Sequence, residues 1–95
     1  MVLRNVVTVR LRPDHDPELV ADLQERLRRL DCPGTVSYLV ANDAGTREGN
    51  WSFVIIADFA DRDSYSGYDT DAEHDRLRKK LAPMCEEIAR IQVEL

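Results

Sequence analysis

Tyr68 and His74 stand six residues apart in Tyr68-Asp69-Thr70-Asp71-Ala72-Glu73-His74, and they are the residues of this chain best suited to proton chemistry. Imidazole has an ordinary pKa near neutrality, so it can take a proton from carbon and return it. A phenol can donate a hydrogen bond to the charge that develops on a carbonyl oxygen. An enolisation or an aldol closure needs those two groups and an apolar cleft that keeps water out, with no metal and no organic cofactor. The chain has no phosphate-cradling glycine loop, no serine nucleophile elbow and no recognisable carboxylate pair. The other histidine, His15, lies between Asp14 and Asp16 without a second histidine or cysteine nearby, and reads as an exposed loop residue, not a metal ligand. A structural reading competes with the catalytic one. A histidine on the apolar stripe of a helix is often a satisfied boundary residue, and the tyrosine before it can simply pin one helix to the next.

The elements that must hold this pair follow from periodicity. Residues 2–11 alternate, with Leu3, Asn5, Val7, Val9 and Leu11 on one face, which predicts a strand with one polar residue, Asn5, where the core should be. Asp16-Pro17 is a helix start, an N-cap oxygen followed by a proline that needs no amide partner. The helix runs to about Leu30 with Leu19, Val20, Leu23, Leu27 and Leu30 as its stripe and Gln24 outside it. Asp31-Cys32-Pro33-Gly34 breaks it. Val36, Tyr38 and Val40 share a face of a second strand, a polar hairpin-type connection spans 42–50, and Trp51, Phe53, Ile55, Ala57 and Phe59 share a face of a third. Residues 61–67 suit one or two helical turns, and Tyr38 and Tyr65 read as packing residues. Asp69 to Asp71 offers N-caps for a helix whose stripe is His74, Leu77, Leu81 and then Met84 or Cys85. Pro83 ends or bends that helix, and Ala89, Ile91, Val93 and Leu95 alternate in a closing strand.

The order β-α-β-β-α-β is the split βαβ, an α+β ferredoxin-like antiparallel sheet with helices on one face. Val6, Val54 and Ile56 make the other face apolar too, so it needs cover, and a second copy of the chain is the simplest source. With 95 residues the chain forms one domain, 1–95. A net charge of −5 argues against a nucleic-acid partner. No apolar run is long enough for a membrane span and no signal-peptide pattern opens the chain, so a cytoplasmic protein is expected, with Cys32 and Cys85 reduced and Cys85 buried.

With these elements in place, the chain resembles the stress-responsive A/B-barrel (Dabb) family of dimeric α+β barrels. The resemblance runs over nearly the whole chain. It rests on the strand Arg4-Asn5-Val6-Val7-Thr8-Val9-Arg10-Leu11, the Cys32-Pro33-Gly34 turn, the third strand ending in Phe59, Tyr68 with His74, and the helix end Leu81-Ala82-Pro83. It implies a homodimer formed through the open sheet faces. Some of its members are polyketide cyclases of the olivetolic acid cyclase type, and others have no established catalysis. For the cyclases the resemblance implies His74 as general base and Tyr68 beside it, closing a polyketide-like carbonyl compound without a cofactor. The pocket would be walled by Asn5, Val7, Val9, Phe53, Ile55, Leu77 and Leu81. The chain has Asn5 where the family usually has histidine, and Asp71-Ala72-Glu73 where it commonly has His-Pro before the motif histidine. A nearby acid pointing inward would raise the pKa of His74. The two readings are thus a cofactor-free acid-base enzyme with a roomy cleft and a dimeric binding or stress-associated protein without turnover.

Overall fold

Alternation in the first ten residues becomes the central strand of a four-stranded sheet in the computed structural model, which describes residues 1–95. The elements are β1 (Leu3–Leu11), α1 (Pro17–Arg28), β2 (Thr35–Asn42), β3 (Phe53–Phe59), α2 (Arg62–Asp69), α3 (Ala72–Leu81), a 3-10 turn (Ala82–Met84) and β4 (Cys85–Glu94). The strands lie in the order β2-β3-β1-β4, every neighbour antiparallel. This is the ferredoxin-like α+β fold that the element order predicts. No helix is long and apolar enough to cross a membrane, and no cluster of three or more His, Cys, Asp or Glu could hold a metal ion.

The helices cover one face. Asp16 caps α1 by accepting from the Glu18 and Leu19 amides at 3.1 and 3.2 Å. Val20, Leu23 and Leu27 bury against Val9, Val40, Phe53, Ile55, Leu77 and Leu81 in the main core. Gln24 departs from the sequence reading, because it is buried on this stripe while Leu19 is exposed. Spacing explains it: 20, 23, 24 and 27 are the residues three and four apart that face the sheet. The Gln24 amide is satisfied there, donating to Asn42 Oδ1 at 2.8 Å. Leu77 is 2 % exposed at the centre of this core. Leu77→Ala therefore removes a fully packed side chain, and urea unfolding should show a loss of about 2–5 kcal/mol with an unchanged m-value. A loss under about 1 kcal/mol would mean that the helix layer is loosely packed.

Three further readings are corrected. Alternation puts Val36 on one face with Tyr38 and Val40, but it is 62 % exposed while Val40 is buried. The pairing of β2 with β3 slips between Thr35 and Ser37, and the extra residue turns out of the alternation. Trp51 lies outside β3, with the Arg10 guanidinium 5.4 Å from its ring centre. Cys85 does not continue the α3 stripe; it opens β4 after the 3-10 turn at Pro83, still buried, as is Cys32.

The opposite sheet face is bare. The register lines up Leu39, Ile56, Val6 and Ile91 as one apolar row across all four strands. Ala41, Val54, Thr8 and Ala89 form the next row. The apolar set of β4 (Ala89, Ile91, Val93) belongs to this face, while Arg90 and Gln92 turn toward the helices. Leu39 and Ile91 are 50 % and 61 % exposed. A bidentate pair, Arg4 to Asp58 at 2.8 and 3.0 Å, sits on the same face and holds the Asp58 carboxyl below its ordinary range.

Candidate active site

The short helix α2 is placed by one glycine. Gly34 has φ +83°, and a Cβ there would lie 2.0 Å from Ser64 Oγ, so only glycine lets α2 approach the start of β2 this closely. Asp61 caps α2, accepting from the Ser64 amide at 2.8 Å. The helix then presents Tyr65 and Tyr68, and Phe59 packs against both, with centroids 5.7 and 5.0 Å away. Asp71 caps α3 by accepting from the His74 amide at 2.9 Å, which starts that helix with His74 facing the sheet.

The sequence pair is in contact, but through faces rather than tips. The Tyr68 and His74 rings stack with centroids 4.0 Å apart and an interplanar angle of 24°. His74 Nδ1 lies 2.9 Å from the Tyr68 carbonyl oxygen. A carbonyl only accepts, so Nδ1 carries the proton and Nε2 is the nitrogen with a free lone pair. No sealed side-chain polar atom lacks a partner, so Nε2, which bonds to nothing in the chain, reaches the open cleft. The Tyr68 hydroxyl is bonded to the Tyr38 hydroxyl at 2.8 Å. Burial pushes the Tyr68 pKa up to about 12 and raises that of Tyr38, so both phenols stay protonated near neutrality.

Burial, followed by the positive charge of Arg78, holds the His74 pKa below its ordinary value, against the opposing pull of the Tyr68 carbonyl, Asp69 and Asp71. The rise expected from a neighbouring acid is not found. Glu73 pairs outward with Arg76 instead. An NMR pH titration should find His74 titrating below about 6.5. A group with a depressed folded pKa contributes stability above its unfolded pKa and loses it as pH falls through the folded one. Wild-type stability should therefore drop from pH 6.5 downward more than that of His74→Gln. Equal slopes in denaturant titrations would show that the imidazole is not held neutral by the fold.

The cleft between the sheet and α2/α3 encloses about 60 Å³, room for about four to six water-sized groups. Asn5, Val7, Val9, Ile55 and Leu81 line it. Phe53 and Leu77 do not; they lie in the core beneath it. Asn5 is 2 % exposed, its Oδ1 accepting from Gln92 Nε2 at 3.0 Å. Its own Nδ2 donates to nothing in the chain and so opens on the cleft. Leu27, Tyr65, Asp69, Arg78, Ile88 and Arg90 complete the lining, and sequence reasoning missed them all as site residues. Tyr65 accepts from Gln92 Nε2 at 3.1 Å, which leaves its proton free to donate. Alternation in the last strand, which sets Arg90 and Gln92 opposite Ala89 and Ile91, was the available signal for Arg90, and the register with β1 gives its side.

A ferredoxin-like domain with a helix-covered His-Tyr cleft is the class of protein that fold and site define. The chain belongs to the Dabb family, the stress responsive A/B barrel domain, whose family model matches residues 3–95. No curated protein matches it. Among solved structures it is similar to a dimeric ferredoxin-like protein of unknown function from Thermobifida fusca, with TM-score 0.89 and 23% identity over 100% of this chain and 92% of that one. It is also similar to the hydroxynitrile lyase of Passiflora edulis, with TM-score 0.85 and 14% identity over 99% and 93% of the two chains. A third, a possible oxidoreductase from Bacteroides thetaiotaomicron, has TM-score 0.81 and 16% identity over 99% and 97%. At these identities the likeness shows the fold alone.

Proposed function

We propose that the cleft transfers protons on a small enolisable carbonyl compound, in an aldol-type closure or an isomerisation, with His74 as general base and Tyr68 as its partner. The observation that carries this is the His74 tautomer. Nδ1 is tied to the Tyr68 carbonyl at 2.9 Å, leaving a neutral imidazole with its Nε2 lone pair at the cleft. In the reaction a C–H bond next to the carbonyl breaks, its proton moves to Nε2, and the electron pair delocalises onto the carbonyl oxygen. That oxygen needs donors. When Tyr38 donates to Tyr68, the Tyr68 proton is free for this role, and Asn5 Nδ2 is a second donor. No cofactor is needed for these steps. That a hydroxynitrile lyase is built on this fold is in keeping with lyase-type chemistry, though fold sets no substrate. The test is α-proton exchange in D₂O. Small ketones and oxo acids should exchange faster with the protein than in buffer, and no acceleration across such a panel would sink the proposal.

A second reading, a binding protein without turnover, draws on one observation: the Tyr68 hydroxyl already has a partner in Tyr38. In both readings the protein is a homodimer closed through the bare sheet face. The Leu39-Ile56-Val6-Ile91 row supports this, as does the dimeric description of the Thermobifida fusca structure. Two buried free cysteines support a reducing, cytoplasmic setting.

A further inference from the structure

We propose that the cleft selects a short oxo acid, with the Arg90 guanidinium receiving its carboxylate. The inference rests on the acid-base reading of His74 for its carbonyl end, but its own observation is separate. Arg90 pairs with Val7 in the β1/β4 register, on the helix side of the sheet, and lines the cleft. The other charged groups there are already matched. Arg78 donates to Asp69 Oδ1 at 3.0 Å, to the Asp69 carbonyl at 2.8 Å and to Asp75 at 3.1 Å. His74 is held neutral. Arg90 makes no ion pair and no side-chain hydrogen bond. Counting the cleft, Arg78 and Arg90 against Asp69 leave one positive charge, in a chain whose net charge is −5. Of the acids along β4, Glu87 pairs with Arg10 and Glu94 with Arg62.

A guanidinium without an anionic partner at the edge of the cleft is matched by a planar anion that it can grip with two parallel bonds, and carboxylate is such a group. Asn5 marks the other end. It is buried, opens its Nδ2 on the same space, and sits diagonally from Arg90 across the β1/β4 pair, since Asn5 faces Gln92. Diagonal neighbours of this kind are about 7–8 Å apart. One molecule can therefore place a carboxylate at Arg90 and a carbonyl oxygen at Asn5 when few carbons separate them.

The probes are acetoacetate and its neutral methyl ester, titrated by NMR and calorimetry. Wild type should bind the acid about tenfold or more tightly than the ester, the margin of a charge-assisted bond. Arg90→Gln should bring the acid down to the level of the ester and leave the ester unchanged, and Arg90→Lys should keep part of the preference. Arg90 is exposed at the sheet edge without partners, so circular dichroism should show both variants folded. Equal binding of acid and ester, no binding of either, or a preference that survives Arg90→Gln would each overturn the proposal. The failure of the His74 reading looks different: Arg90-dependent preference for the acid with no α-proton exchange. Exchange with neutral ketones and no preference for the acid would instead leave the His74 reading standing and remove this one.

Discussion

His74→Gln should lower catalysed α-proton exchange by about 10² to 10⁴-fold, the range that a positioned general base contributes. Glutamine keeps a polar side chain of similar reach but cannot take a proton from carbon. The Asp71 cap bonds the backbone amide of residue 74, so the start of α3 survives the change. The wild-type rate should follow the neutral fraction of the imidazole. It should rise with pH through a pKa below the ordinary histidine value and level off above it, because burial and Arg78 disfavour the charged form. Tyr68→Phe probes the partner role. It removes the bond to Tyr38 and any donation to the substrate, and leaves the Tyr68 carbonyl that fixes the His74 tautomer. A milder loss than that of His74→Gln, in rate rather than binding, is the expected pattern. Unchanged exchange in His74→Gln would remove the base from the mechanism, and exchange by another group would have to be sought.

Much of the fold was legible because its signals are local. Period-two alternation in β1 and β3, the Asp16-Pro17 start of α1, and Asp71 ahead of His74 each specify their element with few residues. The misses have a common physical origin in tertiary context. Gln24 reads as a surface residue until Asn42, on another element, supplies its partner. Val36 reads as sharing a face with Val40 until the β2/β3 pairing slips beside it. Of the site, the Tyr68/His74 contact was legible as a spacing of six on adjacent helices. Its geometry was not, since ring stacking and the choice of Tyr38 as hydroxyl partner depend on how α2 sits against β2. Arg90 escaped notice for a related reason. On sequence the last strand shows only that Ala89, Ile91, Val93 and Leu95 alternate with Arg90, Gln92 and Glu94, and it is the pairing with β1 that puts Arg90 beside Val7 on the helix side.

The apolar side of that strand leads to the second large effect. Ile91→Glu should convert the proposed homodimer to monomers, read as a halving of mass by light scattering at micromolar concentration. Ile91 is 61 % exposed in the single chain, so a glutamate there costs the monomer fold little. In a two-fold interface the same substitution occurs on both subunits, and each new carboxylate would be buried against an apolar row without a partner. Burial of this kind costs roughly 3 kcal/mol or more, which weakens association about 10²-fold or more. Leu39, on the opposite edge strand of the same row, is 50 % exposed in the single chain, so its side chain should likewise lose solvent contact on assembly. His74 faces the helix side, while Arg90, at the sheet edge, lines the cleft and also borders Val6, Ala89 and Ile91 of the bare face. The monomeric variant should therefore keep its oxo-acid preference and its exchange activity if the cleft is complete within one chain. A wild-type protein that is already monomeric would remove the partner sheet and leave the apolar row to some other cover. Loss of both functions in a folded Ile91→Glu monomer would instead show that dimer formation holds β4, and with it Arg90, in place.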